Sequence, residues 1–265
     1  LFVFFLDHEH TRGFSEIPYQ FFIEHLLEIK CKHFYVFNDS SSSGSMIKLI
    51  DVCENFEKIF PGINNLSVES ALFNFFTNLS KVEPNLVGDA INNKIDTIDS
   101  YDINNDAKLE VKQILVNIDS SKFSQISKFI CELKDLTSIG CVPQHFVQFA
   151  KKATIFASSA FDQISLSLPG RKYNISILED SRIRVFGSIF SSIFIESLLN
   201  EKSQSSLTNF KKSICDLFQS YKDQFIDCII TQNQYIKAKT MNTSLPKKDQ
   251  IISFFQANPL DKSHF

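Results

Sequence analysis

The 265-residue chain has no tryptophan and only seven glycines and seven prolines. Those two breakers make up about 5% of it, where ~12% is usual. β-turns need residues that tolerate φ > 0 or fix φ, so a many-turned sandwich or barrel is excluded and helices become the default. Excess charge of one sign is also missing, because 27 basic against 30 acidic residues leave a net charge of −3. Without a global basic field, nucleic acid is not an expected partner. The six cysteines form no CxxC pair and mostly lie among apolar residues, the usage of free thiols in a reducing, cytoplasmic compartment. No run of 18 apolar residues occurs, so no transmembrane segment is expected. The apolar opening at residues 1–6 is too short for a signal sequence and has no basic flank. A chain that starts on Leu1 is expected to be cut from a longer polypeptide.

What the chain does have is phenylalanine, 28 of them, within a hydrophobic content of 43% that suffices for a core. Apolar residues recur at helical spacing. Pro18 opens an expected helix over 19–30, in which Phe22, Leu26 and Ile29 share a face, and Pro at the first turn loses no hydrogen bond. After a short apolar run at 34–37, the polar stretch from Asn38 through Ser43 is expected to be loop and cap. Helices are then expected over 45–60 and from Ser67, with Val68, Ala71, Leu72, Phe75, Phe76 and Leu79 forming a wide stripe. A short helix and loop fill 86–102. Further helices are expected over 106–118, 122–136 (capped by Asp119 or Ser120) and 144–161, whose apolar second half from Ala153 should be central. Alternating Tyr173, Ile175 and Ile177 mark the one expected strand or hairpin. Helices over 183–200 and 207–230 precede a polar tail with one helical pattern at 250–257.

Chemical motifs are sparse. Asp7-His8-Glu9-His10 has the residue types of a metal site, but no further ligand cluster follows, so a solvated polar segment is expected and no metal. Cys31 and His33 could act as nucleophile and base only if the fold joined them. No GxSxG, HExxH or GxxxxGK[ST] is present, and no cofactor is expected. The basic pairs Lys151-Lys152, Lys211-Lys212 and Lys247-Lys248 suit solvated helix faces or ends.

Several segments, in order, resemble the Rho GTPase-activating (RhoGAP) domain. Ile17-Pro18 looks like that family's entry into its first core helix, and Phe37-Asn38-Asp39-Ser40-Ser41 resembles its FRxSG loop. Residues 68–78 (VESALFNFFTN), with Glu83-Pro84 after them, are similar to VASLLKxFLRELPEP. Residues 114–123 (ILVNIDSSKF) resemble the segment through LPxxNY, 144–161 (QHFVQFAKKATIFASSAF) resemble NKMTxxNLAIVFxPxLL, and 213–225 (SICDLFQSYKDQF) resemble VxFLIENYxxIF. The resemblance implies an all-α domain of about nine helices over 1–230, with an expanded segment near 162–206 and a C-terminal extension at 231–265. It further implies binding to a Rho-type small GTPase, or another signalling protein, in signal transduction.

The departures decide what activity to expect. The family's loop arginine stabilises transition-state charge and is worth about 10³–10⁵ in rate; its position here is Asn38. A neutral, shorter amide would forfeit on the order of 4–7 kcal/mol of that stabilisation. The family's supporting Lys and Arg correspond to Asn74 and Asn78, four apart and so on one helix face, and the Asn of NLA corresponds to Lys151. No arginine lies between Arg12 and Arg171. The resemblance therefore implies a GTPase-binding domain without catalysis, contacting its partner through Asn38, Asn74, Asn78 and Lys151, and not an enzyme. Two alternatives stand beside it. One is a helical scaffold or adaptor unrelated to GTPases. The other is a GT-A type glycosyltransferase, because His33-Phe34-Tyr35-Val36-Phe37-Asn38-Asp39, just after a helix, resembles the strand and acidic turn by which some such enzymes hold a nucleotide sugar. That alternative requires alternating strands and a DxD metal motif, and the sequence contains no DxD.

Overall fold

Three runs of consecutive apolar residues set the architecture: β1 (Phe2–Asp7), β2 (Phe34–Ser40) and β3 (Ala153–Ala157). In the computed structural model they lie side by side and parallel, with β2 in the middle, and β6 (Tyr235–Lys237) adds an antiparallel edge to β3. The structure describes residues 2–7, 18–40, 43–79, 86–134, 136 and 140–157, with short pieces at 173–174, 184–185, 197, 206, 208–210, 212–214, 216–217 and 235–237. Among these residues helix predominates, as the scarcity of breakers implies, but the parallel sheet is an addition to the helical expectation.

The chain divides into two compact units: Leu1–Arg12, Cys31–Ser45 and Lys152–Phe265 in the first, Gly13–Lys30 and Met46–Lys151 in the second. In the first unit, Val36 pairs with Val3 and Ile155, and Phe37 with Phe4 and Phe156. All five residues of β3 are buried. Strands buried on both faces carry no alternation, which is the usual pattern of a parallel sheet. The Phe37 and Phe156 rings stack at 5.3 Å, and Phe156 meets Phe210 edge-on at 5.8 Å.

The second unit is helical: α1 (Tyr19–Glu28), α2 (Ser45–Ile59), α3 (Leu66–Leu79), α4 (Val87–Lys94), α5 (Asn105–Val116), α6 (Phe123–Leu133) and α7 (Pro143–Ala150). Ser45, the first residue of α2, belongs to the first unit. Here the phenylalanines converge. Phe56 of α2 lies 5.4 Å from Phe73 of α3 and 5.8 Å from Phe129 of α6, and Phe60 stacks on Phe76 at 5.3 Å. Edge-to-face and offset pairs of this kind are worth ~0.5–1.5 kcal/mol each beyond their burial. Helix ends follow local chemistry: Asn104 caps α5 by accepting from the Ala107 N–H at 2.8 Å, and Asp119 accepts from the Ser121 N–H at 2.8 Å. At α3, which begins one residue before the expected Ser67, the capping acceptor is Asn65, whose side chain takes the Ser67 N–H at 3.0 Å. Pro61-Gly62 closes α2 with Gly62 at φ 85°, where a Cβ would be strained.

Other expectations are corrected. The helix over 144–161 stops at Ala150, and Ala153–Ala157 is strand, though buried as a central segment should be. The expected loop after Phe37 remains strand through Ser40. Arg184–Val185, placed in a helix, instead pairs antiparallel with Tyr173–Asn174 as β5 and β4, so the marked hairpin region does contain strand. The pieces described at 208–210, 212–214 and 216–217 are helical, as expected there. The helical pattern at 250–257 and the boundary at residue 230 lie outside the described residues.

Candidate functional site

Parallel strands align their carboxyl ends, and in open α/β sheets ligands bind outside those ends. Here that edge is built from Asp7 of β1, Asn38-Asp39-Ser40 of β2 and Ala157 of β3. Register places Asp7 opposite Ser40, Asp39 opposite Leu6, and Asn38 between Phe5 and Ala157. Asn38 is 2% exposed, and Ser43, just past the strand, is wholly buried. Burying such polar groups is costly unless they are hydrogen-bonded, and both residues have partners within the protein.

The opposite end of β2 is closed by direct contacts. The Phe34 N–H donates to the Lys152 carbonyl at 2.7 Å, and His33 Nε2 lies 2.9 Å from Thr154 Oγ1. Burial holds the His33 imidazole below its ordinary pKa, which favours the neutral ring. The Cys31 thiol donates to the main-chain carbonyl of His33 at 3.6 Å. That contact ties Cys31 to the backbone of the strand entry.

The four residues singled out by the RhoGAP resemblance fall in different settings. Asn38 belongs to the sheet unit as a buried strand residue, so its amide is not displayed as a loop finger would be. Asn74, Asn78 and Lys151 belong to the helical unit and are exposed. Asn74 and Asn78 sit one turn apart on the outer face of α3, and Asn78 Nδ2 donates to the Tyr101 hydroxyl at 3.2 Å. Lys151 follows the last residue of α7, and its charge pulls the Glu57 carboxyl down against the larger upward push of burial. Among the described residues no three His, Cys, Asp or Glu side chains are grouped to hold a metal. His8, Glu9 and His10 lie outside the described residues.

Among the described residues, the most deeply buried acid stands in the helical unit. Glu69 of α3 is 3% exposed, and both its carboxylate oxygens lie 3.2 Å from the Gln144 N–H in the first turn of α7. Burial raises its carboxyl to about 7, against the opposing effect of that hydrogen bond. Beside it, Gln20 of α1 accepts from the Val142 N–H at 2.8 Å and contacts His145 Nδ1 at 2.8 Å. These two side chains satisfy the orphan amides at the start of α7, which has no cap of its own.

The sequence places Asn38 in a loop by its composition and in a strand and acidic turn by the glycosyltransferase resemblance, and it reads Ala157 as helical, so the two are not joined in one sheet edge. In the sequence Asp7 reads as part of Asp7-His8-Glu9-His10 and Asp39 as part of a loop or an acidic turn, with nothing local to join the two. The signal that joins them is three continuous apolar runs, each ending at or near a polar residue. No family model, curated protein or solved structure matches the chain.

Proposed function

We propose that the sheet unit is a nucleotide-binding module of GT-A type, which takes a nucleotide sugar at the carboxyl ends of β1, β2 and β3. The observation that carries this reading is the parallel β1–β2–β3 ladder, with FYVFNDS forming β2 and ending at Asn38, Asp39 and Ser40. A sugar nucleotide presents hydroxyls and phosphate oxygens, for which carboxylates, main-chain N–H groups and serine hydroxyls are the complementary partners. The chain supplies no DxD pair to hold a divalent cation. The proposed role is therefore binding of the nucleotide sugar, not metal-dependent transfer. Calorimetric titration with uridine and guanosine diphosphate sugars tests it. Saturable binding that Asp39→Ala weakens at least tenfold supports it, and heat of dilution alone for every nucleotide refutes it.

A second reading rests on the exposure of Asn74, Asn78 and Lys151 in the helical unit. In it, a RhoGAP-like helical domain binds a Rho-type GTPase through α3 and the end of α7 without accelerating hydrolysis. The buried position of Asn38 removes that residue from the contact. Pull-down with nucleotide-loaded Rho, Rac and Cdc42-type GTPases, with single-turnover hydrolysis in parallel, separates the outcomes. Capture lost in the double substitution Asn74→Ala and Asn78→Ala supports it. Stimulation of a hundredfold or more contradicts the absence of catalysis, and indifference to both nucleotide sugars and GTPases leaves the scaffold.

A further inference from the structure

Two thiols far apart in sequence meet inside the helical unit. Cys53 Sγ of α2 and Cys141 Sγ, two residues before α7, are 3.5 Å apart, and the two residues are 0% and 2% exposed. Both are free thiols. A disulfide needs about 2.05 Å between sulfurs, so closure requires a shift of about 1.5 Å shared between two side chains. Cys141 follows Gly140, which takes φ 70° and so turns the chain sharply just before α7.

We propose that Cys53 and Cys141 form a redox-convertible pair whose closure ties α2 covalently to the entry of α7. The oxidant is a low-molecular-weight disulfide of the glutathione class. One protein thiolate attacks a sulfur of that disulfide and releases one small thiol. The second protein thiolate then attacks the protein sulfur of the mixed disulfide, forms the Cys53–Cys141 bond and releases the other. Two protein thiols and one small disulfide thus become one protein disulfide and two small thiols, with both protons carried away on the products.

Burial, reinforced by the facing Cys141 and by the Glu69 and Glu57 carboxylates, pushes the Cys53 thiol well above its ordinary pKa. Few thiolates are present near neutrality, so exchange is slow and speeds up as the pH rises. Cys131 is exposed and Cys31 half-buried, and they serve as internal references that react first and reversibly.

The test is equilibration of the full chain with graded ratios of oxidised and reduced glutathione, alkylation of free thiols in denaturant, and non-reducing peptide mapping. The expected result is a peptide joining residues 53 and 141, and an unfolding midpoint raised above that of the reduced protein. Cys53→Ser and Cys141→Ser should each abolish both the crosslink and the rise. The wild-type peptide map stands even if a variant fails to fold. Full alkylation of both thiols after oxidation, or a crosslink from either to a different cysteine, overturns the proposal.

Discussion

Glu69 shows how one buried carboxyl writes itself into the pH dependence of the whole fold. Its folded pKa, about 7, stands above the ordinary 4.5, so between those values the folded chain keeps a proton that the unfolded chain releases. Stability therefore falls as pH rises across that window and levels off above it. Glu69→Gln keeps an acceptor for the Gln144 N–H but cannot ionise. Thermal unfolding followed by circular dichroism should show the variant gaining on wild type from pH 4.5 to 7, and parallel curves would contradict this. Gln20 makes the complementary case. Gln20→Ala leaves the Val142 N–H without its side-chain acceptor, a loss of about 1–3 kcal/mol measurable by urea unfolding. Neither role is legible in the sequence, where residue 20 is one polar position in an amphipathic helix and its partner lies 122 residues away.

At the scale of elements, most helices are readable because their apolar residues repeat at 3.6 and their ends carry Pro, Gly, Asn or Asp. The expected 19–30 and 45–60 correspond closely to α1 and α2. β3 fails the same reading for a physical reason. Its ATIFA run is apolar at every position, and a short continuous run carries no period that separates a buried strand from a buried helix. The run also follows α7 after only two lysines, which a helical pattern absorbs without a break. β1 and β2 carry similarly continuous runs. The phenylalanine cluster is where helical patterning becomes packing. Phe73 is wholly buried, with rings of Phe56 and Phe129 at 5.4 and 5.8 Å. Phe73→Ala should lower stability by about 3–5 kcal/mol in chemical denaturation. A loss below 1 kcal/mol would show that the cluster relaxes to fill the space.

At the scale of the molecule, the two units carry different proposals, and one experiment weighs them together. A ligand that binds only the folded chain stabilises it by about 2.7 kcal/mol at a hundred times its Kd. Scanning unfolding with and without saturating nucleotide sugar should therefore raise the midpoint by several degrees if the sheet edge binds. A midpoint moved by GTPase and not by nucleotide sugar would shift the weight to the helical unit. No helix among the described residues is long and apolar enough to cross a membrane.

By itself the sequence determined the helical majority, the aromatic core and the absence of any arginine that could act from the segment around Asn38. Those are properties of composition and of local periodicity, which the chain carries wherever it folds. Only the tertiary structure decided that three apolar runs lie parallel, that Asn38 is buried between Phe5 and Ala157, and that Cys53 meets Cys141. Strand pairing and side-chain convergence join residues some 30 to 120 positions apart. No short window of sequence records which partner closes such a loop, because many pairings of the same apolar runs would bury similar area.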